Sequence, residues 1–255
     1  MRRLLSDTLV IAERNLVRLP RAPELLLAFT VQPIMFVLLF RYVFGGAIRT
    51  PGYTSYADFL IPGITVQNIA FGGFVTALGL NEDLHKGLID RFRSLPMARP
   101  AVLAGRTSAD VVTNILSVGI LTATGLLIGF SFHTSVGQVI AGFGILILFG
   151  YAFSWVFAFV GMLVSSPEAA NSVGFIAVFP LTFISSAFVP VQTMPTVLRD
   201  FAEVNPFTIT VDAIRALWLG APAHNYVWGA AVWSLVIIAV FAPLAVARYR
   251  RAVGH

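Results

Sequence analysis

The sequence has 255 residues, of which 57% are apolar and only 11% are charged. A soluble domain carries about 25% charged residues, so this composition excludes an ordinary soluble enzyme and a disordered chain. Cysteine is absent, which excludes disulfides and thiolate metal sites. The formal charge of +5 comes mostly from arginines that flank apolar runs, which is typical of membrane topology and not of nucleic-acid binding.

The N-terminal segment, residues 1–24, carries five arginines before any long apolar run, so it lacks the pattern of a cleavable secretory signal. Apolar residues recur at helical spacing between positions 3 and 19, which predicts an amphipathic helix. A basic amphipathic helix beside a span is expected to lie on the cytoplasmic lipid surface. The pattern leaves open whether this helix only anchors the chain or also has a mechanical role.

Six stretches are long and apolar enough to cross about 30 Å of hydrocarbon, which takes roughly 20 residues. Thirteen of the 17 lysines and arginines fall on the side that holds both termini, so both termini are expected in the cytoplasm. The sequence therefore predicts a single-domain (1–255), all-α, multi-pass protein of the plasma membrane. Its predicted spans are residues 25–44, 59–80, 110–130, 137–164, 171–190 and 227–247.

Polar and proline residues inside the predicted spans limit the possible transport mechanisms. No span has an ionisable residue near its centre, which disfavours a self-contained, proton-driven transporter. Gln67 and Asn68 lie deep, where they either bond between helices or line a substrate route. Pro180 predicts a kink in the fifth span, with the hydroxyls of Ser185 and Ser186 available to the freed carbonyls.

The segment after the second span, residues 81–109, contains a short predicted helix over 82–95. Its acidic residues come early and its basic residues late, which suits the helix dipole. An apolar stripe runs along it, and a stripe rimmed by charge usually marks a partner surface. The alternative is a helix that lies flat against lipid. The stripe consists of Leu84, Leu88, Ile89, Phe92 and Leu95.

The segment between the fifth and sixth spans, residues 191–226, predicts two helices, 196–203 and 206–219. Asn205 can cap the second helix, with Pro206 at its first position and Gly220 after its end. That helix would be about 21 Å long, too short to span the bilayer. We therefore expect a re-entrant or interfacial outer hairpin. Its remaining candidate residues are Asp212, Arg215 and Trp218. Asp212 and Arg215 form an i,i+3 pair, which suggests local support of the helix.

The sequence lacks the motifs of a catalytic or energy-converting site. Lys86 is the one lysine, and it does not stand in a phosphate-binding G-x-x-x-x-G-K-[ST] loop. No zinc-protease or serine-hydrolase motif occurs, and the four histidines are scattered. We therefore predict no enzyme activity, no metal and no cofactor in this chain, and an energy source on another polypeptide.

Three blocks of sequence resemble the permease subunit of type-2 ATP-binding-cassette exporters, in the daunorubicin-resistance branch. The resemblance runs along nearly the whole chain. The blocks are Glu82 to Arg93 with Leu95, Pro96, Arg99, Gly105, Arg106, Ala109 and Asp110; Ser185 to Val191 with Met194 and Pro195; and Asn205 to Thr208 with Val211 to Leu217.

The resemblance implies a half-transporter, in which two permease chains, identical or paralogous, pair with two ATPase subunits that bind ATP and Mg²⁺. The helix 82–95 would then be the coupling helix seated on the ATPase. It would contact that partner through Glu82, Asp83, His85, Lys86, Gly87, Leu88, Asp90, Arg91, Phe92 and Arg93. The substrate route between the permeases would match Gln67, Asn68, Phe71, Phe74, Phe179 and Phe183.

Several functions remain open at this point. The main hypothesis is export of an amphipathic drug-like or lipid-like molecule. A second is export of a polysaccharide or lipid-linked glycan, which an aromatic belt in a wide channel would favour. A third is a membrane scaffold or sensor that transports nothing, and an integral membrane enzyme is the most remote. Each of these hypotheses places the chain in a lipid bilayer and none involves nucleic acid.

Overall fold

The computed structural model describes residues 23–45, 48, 50, 52–53, 55–85, 99–164 and 166–252. Within these ranges the regular structure is helical. A five-residue π-helical segment, Phe40–Phe44, continues the first helix, and a 3₁₀ turn, Val191–Thr193, precedes the seventh. The helices are α1 Pro23–Leu39, α2 Tyr56–Gly72, α3 Phe74–His85, α4 Arg99–Leu127, α5 Val136–Gly161, α6 Pro167–Phe183, α7 Thr196–Val204, α8 Pro206–Leu219 and α9 Tyr226–Ala252.

Four helical stretches in the described residues have the length and composition to cross a membrane. They are Tyr56–Asn81, Leu103–Leu127, Val136–Gly161 and Tyr226–Arg251. Two shorter apolar helical stretches, Val31–Phe44 and Glu168–Phe183, overlap the predicted first and fifth spans. The chain is thus an all-helical membrane protein, while the count of six spans stays a prediction. The predicted N-terminal amphipathic helix lies outside the described residues.

Helix α5 is the centre of the bundle and packs against α2, α3, α4, α6, α8 and α9. Glycines on α5 allow this close approach. A β-carbon at Gly142 would overlap the indole of Trp218 on α8, and one at Gly161 would crowd the backbone of Ala77 on α3. Asn114 of α4 fills the space that a side chain at Gly150 would need. Small residues therefore set the helix spacing, as is common in membrane bundles.

The predicted second span, 59–80, lies within the helical stretch Tyr56–Asn81, which a one-residue turn divides into α2 and α3. The break falls at Gly73, which lies against α5 near Ser154. Beyond the break, α3 continues to His85, and α4 already begins at Arg99. Both ends of the predicted loop 81–109 are therefore helical. The predicted third span, 110–130, is likewise shifted, because its helix ends at Leu127.

The helix at the predicted fifth span, 171–190, begins and ends earlier in the chain than the prediction. Helix α6 runs from Pro167 to Phe183, and the chain then turns. Pro180 lacks the N–H that would bond the carbonyl one turn before it, and near the end of α6 two further carbonyls accept hydrogen bonds from side-chain hydroxyls. Thr182 Oγ1 donates to the Phe179 carbonyl, and Ser185 Oγ donates to the Thr182 carbonyl. These local bonds replace helical ones and let the chain leave the helix.

We predict that Gly142→Ala destabilises the protein by about 1–3 kcal/mol, because the added methyl group overpacks the contact with Trp218. The matched control is Gly144→Ala on the same helix, where an added β-carbon meets no atom within 4 Å. That control should be neutral or slightly stabilising. Equilibrium unfolding in detergent micelles measures both, and equal effects at the two positions would contradict the packing described for α5.

Candidate functional site

Helix α8 has the boundaries that its sequence predicts. The Asn205 side chain accepts a hydrogen bond from the Phe207 N–H, and Gly220 ends the helix in the left-handed region at φ 73°. Asn205 Nδ2 also donates to the carbonyls of Leu181 and Ile184, at 2.8 and 2.7 Å. One side chain therefore starts α8 and holds the broken end of α6 against it.

Trp218 anchors the other end of α8 in the bundle. Its side chain is fully buried, and Nε1 donates to the Val139 carbonyl of α5 at 3.2 Å. The rings of Phe130, Phe132 and Phe143 pack around the indole at centroid distances of 5.1–6.0 Å. Helix α8 is thus embedded among α2, α5 and α9.

Arg215 lies at the centre of the α8 contacts and is only 1% exposed. Its Nη2 donates to the carbonyls of Phe59 and Ser186, both at 2.8 Å, and its Nη1 donates to Asp212 Oδ1 at 2.9 Å. The guanidinium carbon also sits 3.7 Å from the centroid of the Phe59 ring. A buried charge requires such partners. Arg215 thereby joins α2, α8 and the turn after α6.

The turn after α6 closes this network from its own side. Ser186 Oγ donates to Asp212 Oδ1 at 2.9 Å, and the Ser186 N–H donates to Thr208 Oγ1 at 3.2 Å. We call the five residues Phe59, Ser186, Thr208, Asp212 and Arg215 the arginine hub. The predicted pair of Asp212 and Arg215 is present, but most of the contacts of Arg215 are to backbone carbonyls on distant segments.

A cavity of about 820 Å³ adjoins the arginine hub, and we call it the hairpin cavity. Burial raises the pKa of Tyr53, although the nearby Arg215 opposes this effect, so its phenol keeps its proton at neutral pH. The acidic residues Asp58, Glu203 and Asp212 line the cavity together with Arg215. Its wall also includes Pro190, Val191, Leu219, Tyr226, His133 and His224.

A row of phenylalanine rings runs along α6 on another face of the bundle. Successive centroids are 4.2–6.0 Å apart, and most of the rings are stacked. We call this row the aromatic ribbon. Phe175 is 48% exposed, so the ribbon is open to the surroundings at one end. Its members in order are Phe71, Phe175, Phe179, Phe183, Phe188 and Phe40.

The structure brings four of the six predicted substrate-path residues together. Phe71, Phe179 and Phe183 belong to the aromatic ribbon, and Gln67 Nε2 donates to Thr182 Oγ1 beside it at 3.4 Å. Phe74 instead packs edge-on against Phe157 of α5, with centroids 5.5 Å apart. Asn68 is half-buried on α2. Whether these residues contact a substrate stays a prediction.

The sequence prediction of the path omitted Phe175, Phe188 and Phe40. The spacing of Phe175, Phe179 and Phe183 along one helix face was a readable signal. Phe188 joins the ribbon only because the chain turns after α6, and its ring lies 4.8 Å from that of Phe40. That turn has no counterpart in a simple hydropathy pattern.

Helices α3 and α4, which flank residues 86–98, are tied together by polar contacts. Thr76 Oγ1 donates to the buried Asp110 Oδ2 at 2.6 Å. The guanidinium of Arg106 occupies the space beside Gly79, where a β-carbon would collide with it. Asn81 Nδ2 donates to the carbonyls of Gly161 and Val164 at the end of α5. We call Thr76, Gly79, Arg106 and Asp110 the α3–α4 clamp.

The predicted coupling residues are only partly within the structure. Glu82, Asp83 and His85 extend α3 by their backbone. The other seven, Lys86, Gly87, Leu88, Asp90, Arg91, Phe92 and Arg93, lie outside the described residues. Their contact with an ATPase is a prediction.

Comparison with known proteins places this bundle in a family. Residues 6–219 match the family model of the ABC-2 type transporter. The chain belongs to the ABC-2 type transporter family. It is 35% identical, over 98% of its length and 88% of the relative, to a daunorubicin resistance ABC transporter permease of Streptomyces coeruleorubidus. The predicted resemblance is therefore confirmed.

Two further relatives of this family member are more distant. A probable doxorubicin resistance ABC transporter permease of Mycobacterium tuberculosis is 24% identical, over the whole chain and 92% of the relative. A probable multidrug ABC transporter permease of Escherichia coli K12 is 24% identical over 78% of the chain and 54% of the relative. The hairpin segment and arginine hub thus belong to an ABC-2 permease.

We predict that Arg215→Lys destabilises this permease by about 3 kcal/mol or more, because an ammonium lacks the planar fork that serves two carbonyls and a carboxylate. Arg248→Lys, at an exposed position of α9, is the matched control and should change stability little. Unfolding in detergent micelles compares the two variants. If they were equally stable, the arginine hub would not be a structural centre.

Proposed function

We propose that this chain is the permease subunit of an ATP-driven exporter for an amphipathic drug-like or lipid-like molecule. The observation that carries the proposal is the 35% identity, along 98% of the chain, to a permease named for daunorubicin resistance. The aromatic ribbon supports this substrate class, because stacked rings open at one end can receive a flat apolar body. Two polar side chains that are bonded to each other, Gln67 and Thr182, lie beside the rings.

The proposed arrangement has six spans and both termini in the cytoplasm. The count of basic residues on the two sides supports it. Helix α9 also ends in Arg248, Arg250 and Arg251, as expected where a span leaves the bilayer on the cytoplasmic side. In this orientation the hairpin cavity faces the exterior and residues 86–98 face the cytoplasm.

The energy source in this proposal is a separate ATP-binding-cassette subunit, present in two copies, that binds ATP and Mg²⁺. The permease itself carries no phosphate-binding loop. A second permease, identical or paralogous, completes the translocation path along the aromatic ribbon. The α3–α4 clamp would transmit a push on residues 82–95 into the bundle, because Thr76 and Asp110 join the two helices that flank this segment.

We predict that Asp90→Ala with Arg91→Ala lowers the stimulation of ATPase activity by about tenfold or more, the size of a coupling energy of 1–3 kcal/mol. The permease is purified with the ATPase subunit that it retains and assayed in nanodiscs. The matched control replaces another pair of consecutive, oppositely charged residues, Arg199 and Asp200 of α7, by alanine. Unchanged assembly and ATPase activity in the first variant would refute the coupling role. Failure to retain any ATPase would favour a scaffold.

We predict that Phe179→Ala reduces ATP-driven uptake of an amphipathic dye into inverted vesicles by about five- to tenfold, because it removes the ring that stacks between Phe175 and Phe183. Phe159→Ala is the control, since its ring packs against Phe241, away from the ribbon. Rates are compared at equal permease content. Equal loss in both variants would argue against a substrate path at the ribbon, and transport of a lipid-linked glycan without dye transport would favour the glycan alternative.

A further inference from the structure

One residue of the hairpin cavity wall has a buried carboxylate oxygen whose role the fold does not explain. Asp58 lies in the first turn of α2 and is 4% exposed. Its Oδ1 is buried and has no hydrogen-bond partner among the described residues. An unpaired polar atom in such a position is costly, and binding of a ligand is one reason for a native structure to retain it.

Helix capping explains the position of one oxygen of this carboxyl group, Oδ2. Ser55 Oγ accepts a hydrogen bond from the Asp58 N–H at 3.2 Å and donates to Asp58 Oδ2 at 3.0 Å. These two bonds complete the N-terminus of α2, where a negative charge is also favourable. They leave Oδ1 free on a residue that lines the cavity.

The charges around the cavity favour a cation. Its described wall includes three carboxylates, of Asp58, Glu203 and Asp212, and one guanidinium, of Arg215. With histidine counted as neutral, the formal charge of this lining is about −2, and a concave wall concentrates such a field. Arg215 already directs four hydrogen bonds to Phe59, Ser186 and Asp212, so it offers little to an anionic ligand.

We propose that the hairpin cavity binds the ammonium group of a cationic amphiphile, with the carboxylate of Asp58 as its partner. The described residues hold no group of three His, Asp or Glu side chains arranged to ligate a metal ion, so an organic cation fits better. The cavity volume of about 820 Å³ suits a small molecule. Tyr53, Val191 and Leu219 supply apolar wall for its body.

This inference rests on the proposed function. It narrows the class of exported amphiphiles to those that carry a positive charge. Its test needs neither ATPase nor transport. The purified permease in nanodiscs is titrated with a dansyl-labelled alkylamine and with the N-acetylated form of the same molecule, which is neutral. The wild-type chain should bind the amine at least tenfold more tightly than the neutral form.

The decisive variant is Asp58→Asn, which keeps the shape and the Ser55 contact but removes the charge. It should weaken binding of the amine at least tenfold and leave the acetylated form unchanged. Asp200→Asn, an exposed acid on α7 that is not part of the cavity wall, is the matched control and should change neither. Equal binding of the amine by the wild-type chain and by Asp58→Asn would overturn the proposal.

A second measurement covers the case in which Asp58→Asn does not fold. A diazirine derivative of the alkylamine should label peptides that contain residues 52–59 or 203–226 of the wild-type chain, and labelling confined to other peptides would overturn the proposal. Charge-selective binding that depends on Asp58 would support the site even if export failed. Export that is unaffected by Asp58→Asn would leave the transporter assignment intact and would exclude a role of this site in export.

Discussion

The fold of the hairpin segment depends on one buried guanidinium. Arg215 lies on α8, yet it reaches the carbonyl of Phe59 on α2 and that of Ser186 in the turn after α6. The Ser186 carbonyl is free to accept because α6 has already ended at Phe183. The break in one helix therefore supplies the partner that makes a buried charge on another helix tolerable.

The same break arranges the surfaces to which we assign function. The turn after Phe183 brings Phe188 onto the end of the aromatic ribbon and brings Pro190 and Val191 into the wall of the hairpin cavity. Both surfaces thus meet at residues 184–191. A displacement of α6 would change the ribbon and the cavity together, which gives a simple physical route between the membrane-embedded face and the hairpin segment.

Sequence reasoning predicted the parts that depend on local chemistry. The cap at Asn205, the start at Pro206 and the stop at Gly220 each have a short-range cause, and the structure contains all three. It did not predict the turns at Gly73 and after Phe183, because hydropathy continues there while the helix does not. It also assigned Arg215 only to Asp212, because a backbone carbonyl leaves no mark in the amino-acid sequence.

Recognition through main-chain atoms has an evolutionary consequence for Arg215. Every amino acid brings a carbonyl group, so substitutions at positions 59 and 186 preserve the acceptors as long as the backbone path is kept. Only the donor side is restricted to one amino acid. Among diverged homologues, position 215 should consequently be far less permissive than the two positions that it contacts, although all three form a single structural unit.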